Sequence, residues 1–334
     1  MPVFERVCIL RGFMSSDILY IVIPCYNEEE VIYKTASALK VKMMKLMEAK
    51  IISDQSRVMF VNDGSRDKTW QIISELHAED KLFSGVDLTR NRGHQNALLA
   101  GLMAAKEHAD VVISMDADLQ DDIDAMDSMM EKYHEGCDIV YGVRSSREKD
   151  TFFKRVTAEG FYKFMAFLGV DIVFNHADYR LMSKHALEGL EKFREVNLFL
   201  RGIIPMIGYN TALVEYERGA RLGGKSKYPL KKMLIFALEG ITSFSIRPLH
   251  MIFCLGMGIC LFSVTMLFYI IIQWLRGVTV TGWTSLICSI WVIGGLVLLS
   301  IGVLGEYIGK IYLESKARPR FIIREILNRH DDAH

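Results

Sequence analysis

No two of the six cysteines form a C-x-x-C pair. That leaves out zinc ribbons and thioredoxin-like redox pairs and favours free thiols in a reducing compartment. No excess charge of either sign is present, since 40 basic residues face 40 acidic ones. No basic, aromatic-interleaved patch stands out, so a nucleic-acid partner is not expected. No G-x-G-x-x-G follows the first strand pattern, which disfavours a dinucleotide-binding Rossmann enzyme. No glycine-rich loop with a basic residue stands there either, which tells against a nucleotidyltransferase. Internal repeats and low-complexity linkers are absent. The N-terminus lacks the apolar run of a cleaved leader, because Phe4 to Met14 contains Glu5, Arg6 and Arg11. Residues 1–16 therefore read as an N-terminal extension, with Met14 as an alternative start.

Charge is also missing from two long runs, Met251 to Leu275 and Gly277 to Gly305. Each exceeds the roughly 20 residues that cross a bilayer core, so two transmembrane helices are expected over residues 249–307. Lys231, Lys232 and Arg247 precede the first run, and Lys310, Lys316, Arg318, Arg320 and Arg324 follow the second. The connection from Arg276 to Trp283 carries Arg276 alone. By the positive-inside rule both flanks, and hence both termini, are cytoplasmic. Trp274 and Trp283 sit where an aromatic belt is expected.

What remains is patterned as an α/β domain over residues 17–217. Strand candidates are Ile18–Ile23, Arg57–Val61, Phe83–Leu88, Val111–Met115 and Asp138–Val143. Helical patterns separate them: Glu29 to Ala49, Thr69 to Asp80 and Asn96 to His108. This alternation predicts a mostly parallel sheet with ligands at the strand C-termini. Two basic, aromatic, amphipathic stretches follow, Thr151 to Val170 and Pro229 to Phe244. The second lies in an acceptor-binding loop and interfacial helix spanning residues 218–248. Residues 308–334 read as a cytoplasmic tail.

The strand ends carry the chemistry. Met115-Asp116-Ala117-Asp118-Leu119-Gln120 sets two carboxylates one residue apart at the end of a buried strand. Alternate residues of a strand share a face, so Asp116 and Asp118 suit a divalent cation that carries phosphate oxygens. A solvated acidic turn is the competing reading, because Asp121, Asp122 and Asp124 continue the run. The first strand ends in Pro24-Cys25-Tyr26-Asn27-Glu28, with Glu28 opening a helix and Tyr26 placed to cover a base. The second ends in Val61-Asn62-Asp63, where an acid can accept from a ribose hydroxyl or a base N–H. Ser65 or Asp67 is a helix cap. Gly93, before a helix, offers N–H groups to an anion, and His94 reads as a structural or wall residue. Arg144 ends the fifth strand.

Taken in order, PCYNEEE, VNDGSRD, NRGHQNALLAGL, MDADLQD, YGVRSSR, NHADYRLMS, RLGGKSKYP and LGEYIGKIYLESKARPRFII resemble the family-2 polyisoprenyl-phosphate glycosyltransferases. These are related to dolichol-phosphate mannose synthase. The bacterial undecaprenyl-phosphate (bactoprenol) glycosyl transferases are the branch that fits best, over about Leu19 to Ile323. The resemblance implies a GT-A type nucleotide-sugar fold, Mg²⁺ or Mn²⁺, and a homotetramer in the bacterial cytoplasmic membrane. It puts Pro24, Tyr26, Glu28, Val61 and Asp63 around uridine. Asp116, Ala117, Asp118 and Gln120 would hold metal and diphosphate, with Asp116, Asp118 and Gln120 as ligands. Arg144, Arg155, Arg221 and Lys227 would meet phosphates. Asp178 matches an acid assigned as base and is expected in a direct active-site role, with orienting Arg180 or the sugar as the alternative. His94-Gln95-Asn96 departs from the pattern and leaves the sugar open between glucose and N-acetylglucosamine.

The implied reaction is inverting transfer from a UDP-sugar to undecaprenyl phosphate, for cell-envelope glycan modification. A processive polysaccharide synthase would need a Q-x-x-R-W motif and more spans, which the chain lacks. A non-enzymatic lipid-carrier transporter or flippase partner is the alternative from a different class.

Overall fold

The computed structural model describes residues 17–144, 176–196, 198–217, 247–276 and 282–328. Within them the chain forms two compact units, one built on a sheet and one on two long helices. The N-terminal extension, both amphipathic stretches, residues 218–246 of the 218–248 segment, most of the connection between the helices, and Arg155, Arg221 and Lys227 lie outside the described residues.

Eight strands make one sheet: β1 (Leu19–Cys25), β2 (Arg57–Asn62), β3 (Phe83–Leu88), β4 (Val111–Ser114), β5 (Ile139–Arg144), β6 (His176–Ser183), β7 (Thr211–Tyr216) and β8 (Ile323–Leu327). Their order is β7-β5-β6-β4-β1-β2-β3-β8. β1 is parallel to β2 and β4, β2 to β3, and β5 to β7. β6 runs antiparallel to β4 and β5, and β8 antiparallel to β3. The five expected strands form with shifts of a residue or two, and four of the seven strand pairings are parallel. The two reversed strands were not anticipated. β6 brings its N-terminal end to the edge where the parallel strands finish.

Helices α1 (Ile32–Glu48), α2 (Thr69–Glu79), α3 (His94–Lys106), α4 (Ala125–His134), α5 (Lys184–Glu191) and α6 (Leu200–Met206) complete this unit. All seven residues of β1 are buried, as a strand covered on both faces requires. α1 buries Ile32, Ala36, Leu39, Met43 and Leu46, one stripe at helical spacing. It starts at Ile32 rather than at Glu28. The carbonyl of Glu28 accepts the N–H groups of Val31 and Ile32, so the residues between form a turn. α3 starts at His94, two residues before the expected Asn96. It crosses the sheet closely at Gly101, where a Cβ would meet Val22 and Val61 side-chain carbons at 2.5 Å. That close approach fixes where the first turn of α3 reaches the strand ends.

The second unit holds α7 (Arg247–Leu275) and α8 (Trp283–Ser315), of 29 and 33 residues. At the standard rise these span about 44 and 50 Å. One stretch among the described residues, Val292–Ser315 of α8, is long and apolar enough to cross a membrane. In α7 the apolar stretch Met251–Met266 is shorter. Their apolar side chains are exposed, Leu275 and Leu298 at 72%. The segment after residue 307 first continues α8 to Ser315. It then supplies β8 to the sheet edge, where Arg324 pairs with the buried Asp87 at 2.9 Å.

Candidate active site

Two loops at the C-terminal ends of β1 and β2 are stitched together by reciprocal hydrogen bonds. Asn27 N–H donates to Ser65 Oγ, and Arg66 N–H donates to Asn27 Oδ1, at 3.0 and 2.9 Å. Glu29 N–H donates to Asp67, and Lys68 N–H donates to Glu29, at 3.2 and 3.0 Å. Glu28 N–H donates to Thr69 Oγ1 at 3.0 Å. Pro24 and Val61 are register partners on neighbouring strands, so the two sit side by side. Tyr26 stands beyond the strand end, 43% exposed. Of the two cap candidates, Asp67 accepts the Thr69 N–H that opens α2, while Ser65 serves Asn27.

Asp63 is 2% exposed. Its two carboxylate oxygens accept the N–H groups of Arg92 and Gly93 at 2.7 and 2.9 Å. Burial raises its pKa, and these two bonds work against that rise. Asp63 therefore braces the loop before α3. The Gly93 N–H expected to await an anion is given to Asp63 and Asn91. Gly64 packs on the same loop: a Cβ there would meet Arg90 and Asn91 backbone atoms at 2.5 Å, and its φ is +62°.

The acidic run after β4 is built, not loose. Thr35 Oγ1 donates to the Ala117 carbonyl at 2.7 Å. Tyr179 Oη donates to the Asp122 carbonyl at 2.9 Å. Tyr216 Oη donates to Asp121, which is 3% exposed. Lys42, almost fully buried, pairs with Asp124 and Asp127 at 2.9 and 2.8 Å. A solvated turn would need none of these anchors. Gln120 N–H donates to Asp118 Oδ1 at 3.2 Å across Leu119, whose φ is +52°. A left-handed non-glycine residue costs about 1–3 kcal/mol and persists where its surroundings over-determine it.

Asp116 meets a second acid through sheet register. β4 and β6 pair antiparallel, ending at Ser114↔Arg180. β4 ends at that pair, and beyond it Asp116 comes close enough to β6 for the charge of Asp178 to act on it. Ser114 Oγ donates to the Asp178 carbonyl at 2.6 Å and locks the crossing. His94, in the first turn of α3, reaches both acids. Its Nε2 is 3.7 Å from Asp116 and 3.6 Å from Asp178.

Asp178 is the most heavily paired carboxylate here. Arg180 Nη2 and Arg201 Nε donate to Oδ1, the latter at 3.2 Å, and Arg201 Nη2 donates to Oδ2 at 3.1 Å. Burial raises its pKa, but His94, Arg180 and Arg201 outweigh burial and hold it well below the usual carboxylate range. The His94 ring responds in kind: desolvation lowers its pKa, Asp178 and Asp116 raise it, and the net direction is up. Arg180 is 1% exposed, and its Nε and Nη1 have no hydrogen-bond partner among the described residues. The sequence pointed to Asp178 and Arg180, treated His94 as a wall and missed Arg201. A lone arginine opening a seven-residue helix has no spacing that marks it.

At Asp116, burial raises the pKa, His94 lowers it, and the carboxylates of Asp121, Asp178 and Asp118 raise it further. Such a surplus of negative charge suits a divalent cation. Among the described residues no three His, Cys, Asp or Glu form a metal cluster. Two carboxylates on one turn, completed by substrate phosphates and water, are how Mg²⁺ is commonly held, so Asp116 and Asp118 fit such an ion. Gln120 follows them, with 7% exposure. Arg144 ends β5 opposite Tyr216 in the ladder. Cys25 and Cys137 are buried, and neither is in a disulfide.

A family model described as "Glycosyl transferase family 2" matches residues 20–190. The chain is 53% identical over 309 residues to "Uncharacterized glycosyltransferase YkoT" of Bacillus subtilis, covering 92% of each protein. It is 42% identical over 311 residues to "Bactoprenol glucosyl transferase" of Shigella phage SfV, covering 91% of this chain and 97% of that one. It is 39% identical over 315 residues to "Prophage bactoprenol glucosyl transferase homolog" of Escherichia coli, covering 92% and 98%.

Proposed function

Since the chain belongs to glycosyl transferase family 2, among its bactoprenol glycosyltransferases, we propose that it moves a sugar from a UDP-sugar to undecaprenyl phosphate at the cytoplasmic face of the membrane. The enzyme is a glycosyltransferase, and a polyprenyl phosphate carrier is the acceptor its relatives support. The donor, the metal and the inverting course are our reading. The observation that carries it is the convergence of Asp116 and Asp178 on His94 where the strands end, with Asp118 near enough for its charge to act on Asp116.

A phosphate oxygen of the lipid attacks the anomeric carbon, the bond from that carbon to the diphosphate oxygen breaks, and UDP leaves with the electron pair. Attack from the side opposite the diphosphate gives inversion. The second ionisation of a phosphate monoester lies near pH ~6, so the acceptor is largely dianionic at neutral pH and no proton need be removed. Mg²⁺ or Mn²⁺ held by Asp116 and Asp118, with Gln120 beside them, would neutralise charge on the departing diphosphate. The stitched loops around Pro24, Tyr26, Glu28, Val61 and Asp63 would enclose the uridine. Arg144, Arg155, Arg221 and Lys227 would offset the repulsion between two anionic reactants.

The exposed apolar surfaces of α7 and α8 support two spans that keep the active site at the surface where a polyprenyl chain resides. Reporter tags on both termini are then cytoplasmic, and an N-terminal domain labelled from outside the cell overturns this topology. Weighing the lipid product from a panel of UDP-sugars with undecaprenyl phosphate identifies the sugar, with a hexose or N-acetylhexosamine increment expected. A lipid of unchanged mass with every donor favours the transporter alternative instead.

A further inference from the structure

Asp178 is held by more positive charge than it needs. One carboxylate faces two guanidinium groups, and their burial differs sharply. The Arg180 side chain is 1% exposed and the Arg201 side chain 36%. Arg180 is therefore the internal brace, while Arg201 carries a permanent charge to a partly open surface. Arg201 is also fixed at both ends of its reach. Its head group makes a two-pronged contact with Asp178. Its helix is tied down one residue earlier, where Leu200 N–H donates to Gln95 Oε1 at 2.9 Å. Gln95 follows His94 in the first turn of α3, so one turn positions Arg201 as well as touching Asp116 and Asp178.

We propose that Arg201 binds the phosphate of the lipid acceptor, with Asp178 as the positioning residue that aims it. This deepens the proposed function and rests on it. The grouped acids Asp116, Asp118 and Asp121 repel a bare phosphate, and the cation they suit is committed to the donor diphosphate. A second anion approaching the same cleft needs a cation of its own. An arginine is suited to this: it is always charged, and its planar fork matches phosphate oxygens. Asp178 fills the remaining part of the argument. Its oxygens receive Arg180, both prongs of Arg201 and the His94 contact. Three guanidinium N–H bonds and a nearby imidazole surround this carboxylate with donors, so it is placed to orient them rather than to take a proton.

The test is steady-state kinetics of Arg201→Ala, Arg201→Lys and Asp178→Asn in detergent, varying undecaprenyl phosphate and UDP-glucose separately, with thermal melting of each variant. Loss of a charged hydrogen-bonding partner predicts a rise of about tenfold to a hundredfold in KM for undecaprenyl phosphate in Arg201→Ala. Arg201→Lys recovers part of it, Asp178→Asn shows a smaller rise, and KM for UDP-glucose stays within about twofold. A selective rise in KM for UDP-glucose assigns Arg201 to the donor and overturns the proposal. Unchanged KM values with only a lower melting temperature reduce Arg201 to a structural brace and overturn it too. A wild-type protein that turns over no UDP-sugar with undecaprenyl phosphate removes the proposed function, and this inference with it.

Discussion

Asp116 and Asp178 share a single imidazole: His94 Nε2 sits 3.7 Å from one and 3.6 Å from the other. Two acids far apart in sequence become neighbours because β6 runs against its parallel neighbours. One of them lies among carboxylates whose charges raise its pKa. The other is matched by two arginines. Proximity in one cleft with opposite charge balance is how two like residues acquire different roles.

The first role we propose is metal holding. Asp118→Ala should lower transfer at least about a hundredfold, the scale on which single groups stabilising developing charge are felt. EDTA in excess should do the same to the wild type, with Mg²⁺ or Mn²⁺ restoring the rate. Full turnover in EDTA would remove the cation from the account.

The second proposed role is structural positioning. Removing Arg180 leaves Asp178 partly unpaired in a largely buried place, and Asp178→Asn leaves Arg180 buried without its counter-ion. Breaking one side of a buried pair costs about 3–5 kcal/mol. Both Arg180→Ala and Asp178→Asn should therefore lower the unfolding midpoint in detergent, and by similar amounts. An Asp178→Asn protein with wild-type stability and a single-turnover rate reduced by 10²–10⁴, the range typical of a lost general base, would restore proton transfer to Asp178.

The third prediction concerns the strand that follows the long helices. Arg324 of β8 donates to Asp87 at 2.9 Å and to the Thr89 carbonyl at 3.1 Å. Asp87 also accepts from Asn62 Nδ2 at 2.7 Å, and Asn62 Oδ1 accepts the Ser65 N–H of the loop after β2. Arg324→Ala should destabilise the sheet unit by about 1–3 kcal/mol, the cost of a buried acceptor losing a partner. Because the same chain of bonds ends at the loop beside Asp63, UDP affinity should fall as well. Calorimetric titration with UDP and a melting curve check both, and unchanged UDP affinity would confine Arg324 to stability.

The parallel half of the sheet was legible because its strands are short apolar runs set between amphipathic helices. Asp116, Asp118 and Asp63 were legible because they directly follow such runs. β6, β7 and β8 were not. Asp178 comes near Asp116 only after β6 reverses against β4, and no local pattern encodes that reversal. Arg201, Lys42 and Tyr216 matter through partners 23, 82 and 95 residues away. Their roles come from tertiary contacts, and in sequence each is an ordinary surface or core residue. Asp63 shows the opposite failure. Its position was readable, while its two bonds to the loop before α3 were hidden until the fold placed that loop beside it.

The most direct test of the central claim is UDP release by the purified protein from UDP-glucose and UDP-N-acetylglucosamine, with and without undecaprenyl phosphate. The account predicts release with at least one of the two donors that depends on the lipid phosphate and rises with its concentration, accompanied by a glycosylated lipid of matching mass. No lipid-dependent release from either donor, in a folded protein supplied with Mg²⁺ or Mn²⁺, would contradict it.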